Sequence, residues 1–88
     1  MAWKIKFSEK ADKAFNKLDK PIQLRVTKKI KEIAKYDAPK LQGKALTGNL
    51  AGLWRYLVGD YRLICLIENH TLLILVLDIG HRRDVYDN

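Results

Sequence analysis

The segment GLWRYLVGDYRLICLIENHTLLILVLDIGH, residues 52–81, decides the fold of this 88-residue chain. Three runs rich in apolar and β-branched residues, at 53–58, 61–67 and 72–79, predict three β-strands. The dipeptide Gly59-Asp60 and the polar segment 68–71 separate these runs. Connections this short join antiparallel neighbours. The segment therefore predicts a three-stranded antiparallel meander.

The preceding part of the chain predicts one more strand and two helices. Residues 2–7, AWKIKF, alternate between apolar and basic side chains, as a half-buried strand does. Ser8 is a good helix N-cap, and an apolar stripe continues to about residue 18. Pro21 fits the first turn of a second helix, which ends near residue 36, and residues 37–52 are expected to form a loop. We therefore predict one α+β domain over residues 1–88, in which a helical hairpin covers a four-stranded sheet.

The charge is the unusual feature of the composition. The chain has 17 Lys and Arg against 10 Asp and Glu, a net charge of +7. Such a domain is a candidate for binding nucleic acid or an acidic protein, although charge also serves solubility alone. A single cysteine, Cys65, and no recognisable secretory signal favour the cytoplasm. The apolar runs are too short for a membrane helix, and the lone cysteine with two histidines predicts no metal site or cofactor.

Arginines stand at related places in the predicted meander. Arg55 lies in the first of its strands, Arg62 begins the second, and Arg82 follows the third. Hairpin connections bring these positions together, so the guanidinium groups are expected to converge on the face opposite the helices and to bind phosphate. Whether their faces agree depends on the register of each turn. Tyr86 offers a ring on which a base can stack, and His81 a proton shuttle near neutral pH.

Each of these residues also has a simpler interpretation. Arg62 can pair with Asp60 at the surface, His81 can be an exposed turn residue, and Tyr86 can pack at the edge of the core. Seven cations on the predicted helices are solvated by default, yet together they favour a face turned towards RNA or an acidic partner: Lys13, Lys17, Arg25, Lys28, Lys29, Lys31 and Lys35. Lys44 and Arg83 complete the predicted RNA-binding set.

Three blocks of sequence resemble a known family. KIKFSEKADKAFNKLDK, followed by LWRYLVGDYRLICLI and LDIGHRRDVY at the right spacing, resembles the RelE toxins of bacterial type II toxin–antitoxin systems, within the RelE/ParE superfamily. This resemblance implies a small toxin that enters the ribosomal A site and cuts mRNA there. The attacking group is a 2′-hydroxyl of the mRNA itself. It also implies a RelB-like antitoxin that inhibits the toxin and joins it to operator DNA.

The resemblance also implies roles for individual residues. Arg62 stabilises the phosphate, Arg82 stabilises the transition state or protonates the leaving group, and Tyr86 stacks on the nucleotide. Arg55 is the basic residue of the first meander strand, where the best-known RelE enzymes carry lysines. The general base is therefore left open, with His81 as the first candidate and Lys44 as the second.

Two other functions remain open at this point. The first is a ParE-like toxin that inhibits DNA gyrase without cutting RNA. The second is a non-catalytic component that binds the antitoxin and, through it, the operator. The set Arg62, Arg82 and Tyr86 favours the endonuclease over both.

Overall fold

A computed structural model describes residues 3–35 and 43–81 of the chain. The predicted α+β class is confirmed, with two helices and a sheet. The sheet has five strands rather than the predicted four, because the expected loop at 37–52 contains a short strand and a turn of 3₁₀ helix at Gly48–Leu50. The elements in chain order are β1 (Lys4–Phe7), α1 (Glu9–Asn16), α2 (Lys20–Lys35), β2 (Lys44–Ala45), β3 (Trp54–Val58), β4 (Tyr61–Glu68) and β5 (Leu73–His81).

The predicted N-cap of α1 also ties the helix to the sheet. The Ser8 side-chain oxygen accepts a hydrogen bond from the Ala11 amide at 3.0 Å, and its hydroxyl donates to the Leu77 carbonyl at 2.8 Å. Helix α1 ends at Asn16, slightly before the predicted residue 18. The Gln23 side-chain amide then donates to the Phe15 carbonyl, which joins α2 to α1. Ser8 therefore fixes both the first turn of α1 and the position of that turn against β5.

The strands are arranged in the order β1-β5-β4-β3-β2. The predicted meander of β3, β4 and β5 is antiparallel throughout, and β1 adds to it by parallel pairing with β5. A register shift at Ile64/Cys65 leaves Leu77 outside the ladder, since Cys65 pairs with Val76 and Ile64 with Asp78. Strand β5 extends to His81, two residues beyond its predicted end.

The helices and one face of the sheet, called here the inner face, enclose the main core. Helix residues such as Val26 and Ile33 pack there against Leu63 and Val76, all of them at most 1% exposed. Burying one such side chain stabilises the fold by about 1.5–3 kcal/mol. No helix within the described ranges is long and apolar enough to cross a membrane.

Candidate functional site

The opposite face of the sheet, called here the outer face, carries the first predicted site residues. Tyr56 in β3 and Leu63 in β4 belong to the main core. Successive strand residues point to opposite faces, so Arg55 and Arg62 both lie on the outer face. Both are partly buried. The sequence left open whether these two arginines share a face. They do, and it is the face turned away from the helices.

The register of the β3–β4 hairpin brings these two arginines together. Arg55 pairs with Ile64, and Leu57 pairs with Arg62. Arg55 and Arg62 are therefore diagonal neighbours on adjacent strands, a relation that sets their Cβ atoms about 7 Å apart. Guanidinium groups stay charged at any physiological pH and offer several N–H donors each. Two arginines on neighbouring strand positions are an arrangement typical of anion sites, so the predicted phosphate-binding role of this pair stays a prediction.

Strand β5 places no side chain beside Arg62. Gly80 is the residue directly opposite Arg62. Two residues earlier, Asp78 pairs with Ile64 and carries a carboxylate that the sequence analysis did not consider. One oxygen of Asp78 accepts the Ile79 amide at 2.9 Å, and the other lies 3.3 Å from the Lys10 ammonium of α1. Asp78 thus forms a surface ion pair between β5 and α1.

His81 occupies a different position from the two arginines. It pairs with Tyr61 at the end of β5, and the two rings make an edge-to-face contact with their centroids 5.5 Å apart. Because Ile79 belongs to the inner core, alternation along β5 places His81 on the inner face as well. The structure therefore brings Arg55 and Arg62 together and separates His81 from them by the thickness of the sheet. Its role as a general base remains a prediction.

The segment that was expected to be a loop forms one wall of the outer face. Lys44 pairs with Arg55, and Ala45 with Trp54. Just after this short strand, Leu46 is buried against Ile64, and a small second cluster forms with two further leucines, Leu50 and Leu53. Lys44, the second candidate for the base, is therefore placed directly across from Arg55.

The remaining predicted site residues divide into two groups. Arg82, Arg83 and Tyr86 lie outside the described residues, so their predicted roles stay predictions. Among the helical cations Lys29 alone is half-buried, and the others are exposed: Lys13, Lys17, Arg25, Lys28, Lys31 and Lys35. Lys13 is engaged by Glu9 one turn earlier in α1, at 3.3 Å, so this lysine belongs to a surface ion pair.

Two buried titratable groups beneath the site are kept protonated. Burial raises the pKa of the Cys65 thiol to about 12. Burial, followed by the nearby Cys65, raises the pKa of the Tyr56 hydroxyl well above its ordinary value. Neither side chain is a thiolate or phenolate at neutral pH, so neither supplies a nucleophile or a base. No cluster of three potential metal ligands occurs in the described part of the chain.

Comparison with known proteins identifies the family. The family model described as "ParE toxin of type II toxin-antitoxin system, parDE" matches residues 5–86. The chain is a type II toxin of this family. The toxin is also similar in structure to a chain of the RelBE2 toxin–antitoxin complex of Mycobacterium tuberculosis, with 26% identity, a TM-score of 0.84, and coverage of 96% of the toxin and 95% of that chain. The predicted membership of the RelE/ParE superfamily is thereby confirmed.

Further solved structures share the fold. The archaeal RelE–RelB complex of Pyrococcus horikoshii OT3 matches with 25% identity, a TM-score of 0.72, and coverage of 97% of the toxin and 100% of that chain. The YoeB dimer of Staphylococcus aureus matches with 18% identity, a TM-score of 0.74, and coverage of 92% and 98%. No curated protein matches the toxin in sequence. The toxin thus has a RelE/YoeB-like fold within a family named for ParE.

Proposed function

We propose that this toxin is a ribosome-dependent mRNA endonuclease that cuts the A-site codon. The observation that carries the proposal is the placement of Arg55 and Arg62 as diagonal neighbours on the outer face. A pentacoordinate phosphorane gains negative charge as it forms, and fixed cationic donors stabilise that charge more strongly than water does. Guanidinium groups carried by neighbouring strand positions can contact different oxygens of one phosphate group.

The reaction balances without any co-reactant. The ribose 2′-oxygen forms a bond to the adjacent phosphorus, and the bond from phosphorus to the 5′-oxygen breaks. The proton of the 2′-hydroxyl passes to a base, and the leaving 5′-oxygen receives a proton from an acid. The products are a 2′,3′-cyclic phosphate and a 5′-hydroxyl. Arginines suit the charge but not the proton transfers, because their pKa exceeds about 12.

The other roles in this proposal come from the resemblance to RelE. Arg82 stabilises the charge of the transition state, and Tyr86 stacks on the nucleotide. Lys44 shares a ladder position with Arg55, whereas His81 lies on the inner face, so the geometry supports Lys44 over His81 as the base. A pH–rate profile of His81→Ala beside wild type decides between them, because only loss of the base removes the corresponding limb of the profile.

The proposal includes a RelB-like antitoxin as the neutralising partner in the cytoplasm. Solved relatives of the toxin are complexes of this kind, among them RelBE2 and the archaeal RelE–RelB complex. The net charge of +7 favours binding to an acidic antitoxin segment and to ribosomal RNA. Operator DNA is contacted through the antitoxin.

Primer extension on mRNA in translating 70S ribosomes tests the endonuclease proposal. We expect codon-specific breaks with the wild-type toxin and none with the Arg62→Ala/Arg82→Ala double variant. Loss of one donor to a developing oxyanion slows a reaction about 10²–10³-fold. Lys6→Ala, an exposed change on β1, is the matched control and keeps the breaks.

The family name favours a second candidate, a ParE-like inhibitor of DNA gyrase. If wild-type toxin makes no breaks but blocks supercoiling by gyrase, this second function replaces the first. If the purified toxin efficiently cleaves naked RNA, the ribosome requirement is wrong, but the proposed cleavage by 2′-hydroxyl attack is unaffected.

A further inference from the structure

An open cleft of about 160 Å³ lies beside Arg55, between helix α2 and the edge of strand β3. This volume is about ten times the ~15 Å³ that admits one water molecule. The cleft does not coincide with the Arg55–Arg62 pair, because it opens at the edge of the sheet. The described residues that line it are Lys29, Gly43, Lys44, Arg55 and Leu57.

A glycine builds the floor of this cleft. A Cβ atom on Gly43 would lie 2.7 Å from Cε1 of Tyr56 and 2.8 Å from the Arg55 carbonyl oxygen, distances that a real side chain does not reach. Only glycine lets the backbone come this close to β3. The close approach fixes Lys44 directly across the ladder from Arg55. Lys44 and Arg55 thus place two positive charges on one rung of the ladder, and together they attract an anion more strongly than either does alone.

Helix α2 contributes the third cation. Lys29 is half-buried, and it lines the same cleft as Lys44 and Arg55. The described lining residues include no acidic side chain. One turn earlier in α2, the Arg25 guanidinium reaches the β3–β4 turn, where its Nη1 lies 3.9 Å from the Cβ position of Gly59. Cations thus follow the edge of β3 from its first residues to the turn.

The short length of β2 keeps this edge accessible. Strand β2 pairs only with Trp54 and Arg55, so among the described residues Leu57 has no ladder partner on that side. Arg55 belongs both to the outer face and to the cleft. A polyanion held by Arg55 and Arg62 can therefore continue over the edge of β3 towards α2.

We propose that the cleft binds the phosphate next to the one to be cut in the RNA strand, with Lys29 and Arg55 as its ligands. This inference rests on the proposed function, because it takes RNA as the polyanion. The flanking phosphate fixes the direction in which the strand leaves the outer face. Holding the strand at two points positions the reacting 2′-hydroxyl for in-line attack.

Binding of a 2′-O-methyl hexaribonucleotide tests the cleft apart from cleavage, since this RNA has no 2′-hydroxyl to attack. Fluorescence polarisation at a series of salt concentrations gives both affinity and salt dependence. In Lys29→Glu we expect at least tenfold weaker binding in 0.15 M salt. The plot of log K against log salt concentration has a negative slope, and its magnitude should decrease by about 0.7. This is the value for one lost phosphate contact on a single strand.

Lys6→Glu makes the same charge change on β1, three strands from β3 or about 14 Å away. At 0.15 M salt that distance exceeds the ~8 Å screening length, so we expect an affinity within twofold of wild type. Lys29→Glu should fold at least as stably as wild type, because its carboxylate faces Lys44 and Arg55. If Lys29→Glu is less stable than wild type, Lys29→Gln, which removes the charge without reversing it, replaces it in the same measurement.

The outcomes separate the cleft from the endonuclease. Equal loss of affinity and slope in Lys29→Glu and Lys6→Glu overturns the cleft proposal, as does a wild-type toxin that does not bind the oligonucleotide. Variants that lose affinity only for the antitoxin also overturn it. If the slope falls as expected but no mRNA is cut on ribosomes, the cleft stands and the endonuclease proposal fails.

Discussion

The inner face of the sheet packs fully buried side chains against two helices, whereas the outer face carries Arg55 and Arg62 beside one small apolar cluster. On the inner face Leu63 and Val76 are 0% exposed. On the outer face Ile64 is buried, but Leu57 and Leu66 remain 52% and 38% exposed. The contrast shows that the fold is stabilised mainly from one side, which leaves the other side able to carry charged residues.

Neighbouring residues of β4 give the sharpest test of this contrast. Leu63→Ala removes an inner side chain that rigid neighbours surround, and we expect a loss of about 2–5 kcal/mol of unfolding free energy. Ile64→Ala opens a cavity under Leu46, Leu50 and Leu53, a thin layer that can collapse onto it. Its cost should lie near the lower end of that range, about 2 kcal/mol.

Urea unfolding followed by tryptophan fluorescence measures both changes. Equal losses for Leu63→Ala and Ile64→Ala would show that the two faces contribute alike, and the contrast would then be wrong.

The second prediction concerns the junction of the outer face and the cleft. Gly43→Ala places a methyl group against Tyr56 and the Arg55 carbonyl. We expect a loss of about 1–3 kcal/mol, as for other overpacked sites, and separation of β2 from β3. Hydrogen exchange at the Leu46 amide, which donates to the Leu53 carbonyl at 3.0 Å, should accelerate. Thr47→Ala, an exposed change in the same segment, should stay within about 0.5 kcal/mol.

The third and smallest prediction concerns pH. The Cys65 thiol has a pKa of about 12 in the folded toxin against 9.0 when exposed, so the unfolded chain loses this proton first. The stability that the protonated thiol contributes is complete below pH 9 and is lost as the pH rises from 9 towards 12. The loss amounts to about 1 kcal/mol at pH 10. Urea unfolding at pH 8 and pH 10 measures the loss, which should shrink in Cys65→Val. An unchanged loss in that variant would assign it to another group.

The strands and helices that enclose the core were largely predictable from the sequence, because apolar runs mark β3, β4 and β5 and apolar stripes mark the two helices. The shared face of Arg55 and Arg62 followed only once the pairing Val58↔Tyr61 fixed the hairpin register. The two-residue connection Gly59-Asp60 predicted the hairpin but not that register, since a slip of one residue reverses every face.

Other features had no sequence signal of their own. A strand of two residues, Lys44–Ala45, has no periodicity to detect. The register shift at Ile64/Cys65 inserts Leu77 into β5, where the continuous apolar run has no alternation that the extra residue would interrupt. His81 was expected after the last strand, yet it pairs within β5, and that pairing places it across the sheet from the arginines.

The parallel pairing of β1 with β5 also affects how the toxin is made. Lys4 pairs with Leu73, so the first strand waits for a partner that is synthesised almost seventy residues later. Such distant contacts slow folding, and a nascent chain stopped before Leu73 contains β1 but lacks β5, the strand with which β1 pairs. Translation therefore has to run nearly through β5 before a harmful product exists. Pulse proteolysis of chains stalled before and after β5 would reveal this delay as a late gain of resistance.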